Sequence, residues 1–527
     1  MGDFVAPSSD MWSLRAKSIA IIGAGPSGLV AAKYVVVLVQ DLGANGGRYL
    51  RAEKAFSKIV LFEQRPRDGG IWNYTSEERD EDLFTVPQTN PSGKNQDPIW
   101  KQALTNEHTI DGSNIVNGAS KDPAFVSPMY ERLETNIPRG LMGFKGLDWP
   151  QDSQLFPKHQ TVLKYIEDYG RDVQDTVRYS TQVTNVTSTS DDPATSWSVT
   201  SQDLQISVAA TETYDAVVVA NGHFITPYIP DIPNIADWNK AHPSLISHSK
   251  YYRRPEEFTN KKVIVVGNSA SGADISNQIA EHCTLPLLWS SKSTNLFVSA
   301  TPTDPRRREL PPIKQFNPET RGVEFEDGTI EENIDAIVFA TGYFYSLPFL
   351  EDVTPKLITD GSHVNHTYKH LFFAPKPTLS FLALPQRVIP FPTAETQAAV
   401  LARVYSGRLS LPPLADMEKW EEEQKAEAGD GRGFHLLPFP KDGQNINELS
   451  KWALSAPRRD GLSNNGQGMV PPVWGEWEFW CRENFPAIRQ AFGKLGEKRF
   501  TTRTLEEVGF SYEEYRRKKA QEDAGLI

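Results

Sequence analysis

The chain is poor in cysteine. Cys283 and Cys481 are the only two in 527 residues, and they form no C-x-x-C pair. That excludes a dithiol reductase centre and a cysteine zinc site. It also suits a reducing compartment, because secreted domains gain stability from disulfides. Long apolar runs are missing as well. The longest, residues 34–39, falls far short of the ~20 residues that cross a bilayer. The first residues carry Asp3 and Asp10 without an apolar stretch, so no secretory leader is expected. Residues 521–527 hold neither a prenylation box nor a hydrophobic tail. Positive charge is not in excess: the net charge is −12, which argues against nucleic acid or an anionic membrane as partner. No hydrolytic triad and no metal-ligand cluster stands out. A cytoplasmic chain with no membrane anchor is the expectation.

What is present begins at Ser18-Ile19-Ala20-Ile21-Ile22, a short apolar run read as a buried strand. Gly23-Ala24-Gly25-Pro26-Ser27-Gly28 follows and reads as a tight turn into a helix reaching Leu38. In that pattern the first glycine makes the turn, the second lets the backbone approach a pyrophosphate, and the third lets helix and strand pack closely. The positive end of the helix then faces the phosphates. A second strand, Lys58 to Phe62, ends in Glu63. An acid there accepts hydrogen bonds from ribose hydroxyls and repels a 2′-phosphate, which suits FAD or NAD and not NADP. Glu63 lies farther from Gly28 than the usual ~20 residues. The excess, residues 41–55, reads as a surface insertion.

The rest of the chain organises around a repeat of this device. Residues 1–17 read as a poorly ordered lead-in and residues 75–125 as a surface excursion. Residues 177–220 read as short strands, the last of which closes beside the first and ends in Ala220-Asn221-Gly222-His223. Val263-Ile264-Val265-Val266-Gly267-Asn268-Ser269-Ala270-Ser271-Gly272 then repeats the opening, with Ser269 at the second glycine position. The following strand ends in Ser290-Ser291-Lys292. No acid stands at that tip, and a cation with hydroxyls is the chemistry a 2′-phosphate needs, so this unit favours NADP. Asp335 to Tyr343 echoes Asp215 to His223 as a second closing strand. The closer of the first unit precedes the opener of the second, so the second unit is inserted in the first. The expected fold is α/β, with two Rossmann-like dinucleotide-binding domains and the NADPH domain inserted in the FAD domain, as in glutathione reductase. Residues 17–225 are the first part of the FAD domain, 226–344 the NADPH domain, and 345–527 the second part with a C-terminal extension. Acidic helices around 418–427 and 512–521 read as solvated faces.

Residues 23–28, 62–63, 69–72, 133–138, 220–223, 248–253, 267–272 and 339–343 together resemble the flavin-containing monooxygenases. These are class B flavoprotein monooxygenases, and the likeness is to their soluble, fungal-like members. The family's F-x-G-x-x-x-H-x-x-x-(Y/F) motif falls on residues 242–252. His248 and Tyr252 match it; His242 and Ser244 depart from it. Tyr252-Arg253 stands where Baeyer–Villiger relatives carry Trp and then Pro or Asp, so heteroatom oxidation is the better reading.

The resemblance implies FAD and NADPH as cofactors. It implies an N,N-dimethylaniline-type monooxygenase that places one oxygen atom of O2 on a soft nitrogen or sulfur of a small molecule, through a C4a-hydroperoxyflavin. It implies that Asn136 lies beside the flavin and the nicotinamide and acts in catalysis. The cofactor contacts it implies are Gly23, Gly25, Pro26, Ser27, Gly28, Glu63, Gly70, Ile71, Trp72, Thr135, Val183 and Gln397 in the FAD domain. In the NADPH domain they are Gly267, Ser269, Ala270, Ser271, Gly272 and Lys292. Trp72 is readable as core, Gln397 as a surface helix position, and His223 and His248 as structural. The alternatives are a Baeyer–Villiger or N-hydroxylating monooxygenase, an NADPH oxidase or reductase, and a nucleotide-binding scaffold. The substrate and the oligomeric state, a homodimer included, are not readable.

Overall fold

Two open sheets, each begun by one of the two glycine turns, carry the chain. The computed structural model describes residues 11–35, 38–40, 49–51, 55–76, 84–92, 96–102, 121–292 and 304–524. In the first unit, strand β1 (Ser18–Ile22) leads into helix α1 (Pro26–Val35), and β2 (Lys58–Phe62) lies parallel to β1 with Ile19 opposite Ile59. Helix α2 (His159–Gly170) covers one face. Strand β3 (Ala216–Val219) lies parallel on the other side of β1, with Ile22 opposite Val219, as the closing-strand reading requires. Among the described residues the sheet has seven strands. Beyond β3 it continues through Leu379–Phe381, Phe372–Phe373 and Thr367–Tyr368, and beyond β2 it ends at Val177–Arg178. Residues 216–219 are all buried, which is why they read as an unbroken apolar run: a parallel strand covered on both faces has no polar side to alternate with.

The second sheet opens with β4 (Val263–Val266), helix α3 (Ala270–Ile279) and β5 (Leu287–Ser290), and closes with β6 (Ala336–Phe339). Its order is Ile246–His248, β6, β4, β5, Arg307–Leu310, and every pair in it is parallel. The chain leaves the first sheet after Val219 and is back in it at Thr367. The outgoing Thr226–Pro227 pairs antiparallel with the returning Tyr343–Phe344, so the two crossings brace each other.

Helix α4 (Pro390–Tyr405) packs on α1. The contact is tight because alanines meet there: Ala31, Ala32, Ala398, Ala399 and Ala402 are all buried in one cluster with Leu29, Val400 and Leu401. Fully burying each larger aliphatic contributes about 1.5–3 kcal/mol. Helix α5 (Glu476–Gly493), in the C-terminal extension, buries Trp480, Cys481, Ile488 and Phe492 in the same cluster. No helix among the described residues is long and apolar enough to cross a membrane.

Several sequence expectations need correction. Helix α1 ends at Val35, not at Leu38, and Leu38–Gln40 is a strand paired with Tyr49–Arg51. The remainder of the 41–55 insertion is described only from residue 55. The lead-in is held from Trp12 onward: Trp12 and Leu411 exchange both backbone hydrogen bonds at 2.9 Å, and Leu14 and Ala16 are buried. The 75–125 stretch is more than a surface excursion where it is described. Phe84 is buried in the core of the second unit against Tyr251, with Val86 and Ile99 beside it. No periodicity announces this, because single apolar residues dock there between polar ones. The 414–428 and 512–523 helices are mostly exposed as expected, although Glu421 is buried.

Candidate active site

Both glycine turns open onto one cleft of about 2170 Å³. At the first turn Gly23 has φ +101°, and a Cβ there would stand 2.7 Å from the Ala220 carbonyl oxygen. A Cβ on Gly28 would meet the Gly23 carbonyl oxygen at 1.7 Å, so α1 can sit on β1 only without one. Gly25 is different. Its Cβ would find nothing nearer than Gly70 Cα at 3.6 Å, and it faces the cleft with Pro26 and Ser27. The protein leaves this place open, and the first amides of α1, which have no partner within the helix, sit beside it.

Glu63 completes the turn. Its carboxylate is buried; Oε2 accepts from Ala24 N at 2.7 Å and Oε1 from Arg65 N at 2.9 Å. Burial pushes its pKa up, opposed by the Arg65 guanidinium 3.9 Å away and by the two amides. Each oxygen keeps a lone pair, and Glu63 lines the cleft. A buried acceptor pair beside an open helix end fits the ribose and pyrophosphate of FAD. Farther along, Gly70, Ile71, Trp72, Thr135, Asn136 and Val183 line the same cleft. Among the described residues Asn136 has no hydrogen bond from its amide, which leaves a donor and an acceptor on the cleft wall. His223 Nε2 is likewise buried at that wall without a partner among the described residues, and burial lowers the ring's pKa to about 4.

From the second unit, Gly267, Ser269, Ala270, Ser271 and Lys292 line the cleft. Lys292 is exposed, as a group awaiting an anion at the rim would be. His248 does not act on the cleft: its Nδ1 accepts from Lys250 N at 3.1 Å, which puts the proton on Nε2, 3.0 Å from the Gly342 oxygen. Burial lowers its pKa to about 3, so it stays neutral and ties the 242–252 motif to the turn after β6.

Three expected site residues stand behind the wall and not on it. Gly28 and Gly272 serve packing, the latter because a Cβ would lie 2.1 Å from the Gly267 oxygen. Gln397 is fully buried; it reaches the cleft through Ala383, whose amide donates to its Oε1 at 2.8 Å.

The sequence missed the part played by the C-terminal extension. Glu134, next to Thr135 and Asn136, is held by Arg489 at 3.4 Å and Arg499 at 3.1 Å, and its Oε1 also accepts from Gln154 Nε2 at 3.2 Å. Arg482 of α5 pairs with Asp442 at 2.5 Å, both nearly buried. Removing one partner of such a pair typically costs about 3–5 kcal/mol, so the extension is firmly set as a wall. Phe439, Arg482 and Phe485 line the cleft from it. The only signal available was a tail rich in arginine, which does not say where each one lands.

Comparison with known proteins agrees with this geometry. A family model described as flavin-binding monooxygenase-like matches residues 119–302 and 310–434. The flavin-containing monooxygenase iboF of Amanita muscaria is 29% identical over 86% of this chain and 93% of that protein. The flavin-containing monooxygenase FMO GS-OX1 of Arabidopsis thaliana is 32% identical over 79% of this chain and 80% of that protein. Among solved structures, S-allyl-L-cysteine S-oxygenase from Allium sativum superposes with a TM-score of 0.68 at 27% identity, covering 95% of this chain and 97% of that one.

Proposed function

The chain belongs to the flavin-binding monooxygenase-like family, whose members use FAD, NADPH and O2, and from that premise we propose that it oxygenates a soft sulfur or nitrogen atom of a small molecule. The observation that carries this reading is the single cleft onto which both glycine turns open, with the Asn136 amide on its wall and without a partner among the described residues. The likeness to the Allium sativum S-oxygenase supports sulfur as one target.

When bound, FAD reduced by NADPH supplies the activation of O2. This chain's own residues bind, orient and keep the site dry. Glu63 takes the ribose hydroxyls, and the amides opening α1 take the pyrophosphate, where Gly25 lets it approach. Ser269, Ala270 and Ser271 do the same for NADPH, and Lys292 meets its 2′-phosphate, which sets the preference over NADH. Asn136 offers its amide N–H where charge develops on oxygen; a fixed donor in a water-poor site contributes far more than one in water. Ile137, Met142 and Phe485 give the cleft an apolar lining that excludes water. We assign residues 17–225 and 345–527 to the FAD domain and 226–344 to the NADPH domain. A cytoplasmic location is supported by two buried, unpaired cysteines.

The test is oxygenated product per NADPH consumed with three probes: methyl phenyl sulfide, N,N-dimethylaniline and cyclohexanone. Oxidation of the sulfide or the amine, with the ketone untouched, is the expected result. Lactone formation from cyclohexanone would replace this reading by a Baeyer–Villiger one.

A further inference from the structure

We propose that the cleft holds a carboxylate-binding corner at Arg387, formed where residues 383–388 meet the C-terminal extension, so that the enzyme takes acids bearing an apolar arm. The proposal rests on the monooxygenase reading only for the identity of the oxidised atom.

The corner begins with an unusual backbone. Ala383 and Arg387 have φ of 56° and 60°, a left-handed conformation that L side chains rarely adopt and that lasts only when neighbours fix it. Here they do. Ala383 N donates to Gln397 Oε1 at 2.8 Å. Gln386 N donates to the His435 oxygen at 2.8 Å, and Leu437 N donates to the Gln386 oxygen at 3.0 Å. Arg482 Nη2 donates to the Arg387 oxygen at 2.9 Å. Four neighbours therefore hold a loop whose strained residue, Arg387, lines the cleft.

The Arg387 guanidinium differs from those around it. Arg482 is matched by Asp442 at 2.5 Å, Arg489 and Arg499 by Glu134, and Arg65 by Glu63. Arg387 is exposed and has no carboxylate within 4 Å among the described residues. Arg432 has no acidic partner there either, but its guanidinium lies over the rings of Tyr228 at 4.3 Å and Phe344 at 5.7 Å, at the paired crossings. Beside Arg387 the wall is apolar: the Arg482 guanidinium stands 4.7 Å from the Phe485 ring and 5.9 Å from the Phe439 ring, and both phenyl groups line the cleft. A planar guanidinium matches a carboxylate with two parallel N–H bonds. A phenyl-lined wall beside it favours an alkyl or aryl arm over a purely polar acid.

The probe is hexanoate against hexanamide, titrated calorimetrically into the FAD-loaded protein. Neither is oxidised, so the result does not depend on turnover, and a chain that fails to oxygenate sulfides could still bind hexanoate. Hexanoate should bind about tenfold tighter or better, as for a hydrogen bond to a charged group. Arg387→Asn, which tolerates the left-handed backbone, should abolish that preference, and Arg387→Lys should keep part of it. NADPH affinity should not change in either variant. Flavin content reports whether the variants fold; if Arg387→Asn loses flavin, retained preference in Arg387→Lys and its loss in Arg387→Gly decide the matter. Equal binding of the two probes overturns the proposal. So does a preference that survives Arg387→Asn, one that vanishes in Arg432→Ala instead, or a loss of NADPH affinity in its place.

Discussion

At Gly23 and at Gly267 the chain makes the same turn against the same obstacle. Both have φ near +100°, and a Cβ on either would press on an alanine carbonyl oxygen just past the closing strand, Ala220 at 2.7 Å and Ala340 at 2.4 Å. Both turn amides donate to the end of the neighbouring strand at 2.8 Å, to Phe62 in one unit and Ser290 in the other. Each closing strand is preceded by an aspartate that ties it to the opening strand: Asp215 accepts from Lys17 N at 2.8 Å and Asp335 from Lys262 N at 2.9 Å. The units differ where ligand would lie. Where the first unit has Gly25 the second has Ser269, and where the first ends its strand in Glu63 the second has a tip that runs Ser291-Lys292. The shared parts are steric and make the fold. The unshared parts are chemical, and they are where the two units differ in the groups they offer a dinucleotide.

The largest effects should come from breaking the shared parts one at a time. In Gly28→Ala the new methyl would lie 1.7 Å from a backbone oxygen, and in Gly272→Ala 2.1 Å. Backbone cannot yield that far without moving a helix off its sheet. Gly28→Ala should be purified without flavin, or not purified at all. Gly272→Ala should be purified yellow, with stoichiometric FAD, yet fail to be reduced by NADPH while dithionite still reduces it. If Gly272→Ala also loses FAD, the two units do not bind their ligands separately.

The next effect falls between the units. Asn136→Ala should leave NADPH oxidation running and lower oxygenated product per NADPH by at least about tenfold, toward the ~10²–10³ seen when one oxyanion donor is lost. The missing product should be balanced by hydrogen peroxide. An unchanged product ratio would make Asn136 a turn residue and nothing more. Lys292→Ala tests the chemical difference between the units. A charge-assisted contact is worth about 1.5–3 kcal/mol, so the KM for NADPH should rise about ten- to a hundredfold, with that for NADH nearly unchanged. Equal rises for both would remove Lys292 from the 2′-phosphate.

These contrasts also mark what was legible before the structure. The turns were, because glycine spacing reports a steric demand that only glycine meets, and Ser269 could stand in where the demand is on the ligand side. The place of the first closing strand beside its opener, and the echo of that run in the second unit, were legible from the two Asp-led runs. The clamp on Glu134, two residues before Asn136, was not legible. Glu134 pairs with Arg489 and Arg499, 355 and 365 residues away, and nothing local to an arginine records its distant partner. Gln397 was placed near the flavin by its likeness to relatives, or else on a helix surface; the fold buries it and lets Ala383 line the cleft. Phe84 was hidden for a related reason: one docked ring in a polar stretch has no period.

The mildest effect lies beneath α1. Glu395 of α4 is fully buried, with Lys145 N donating to its two oxygens at 3.3 and 3.1 Å and the Tyr169 hydroxyl 3.4 Å away. Burial raises its pKa to about 8, only partly opposed by those contacts and by the charges of Lys145 and Lys33. The folded protein thus keeps this proton up to about pH 8, whereas the unfolded chain releases it near the ordinary value of 4.5. Between those values the folded state binds the extra proton, so stability is full at the acid end and declines as pH rises toward 8. The slope from one such group is at most about 1.4 kcal/mol per pH unit. Glu395→Gln removes the titration while keeping the volume. The thermal midpoint of the variant relative to the parent should therefore climb between pH 5.5 and pH 8, with FAD and NADPH binding little changed. A difference in midpoint that stays constant across that range would mean that Glu395 is already ionised in the folded protein, held by the Lys145 amide and its neighbours more strongly than burial opposes it.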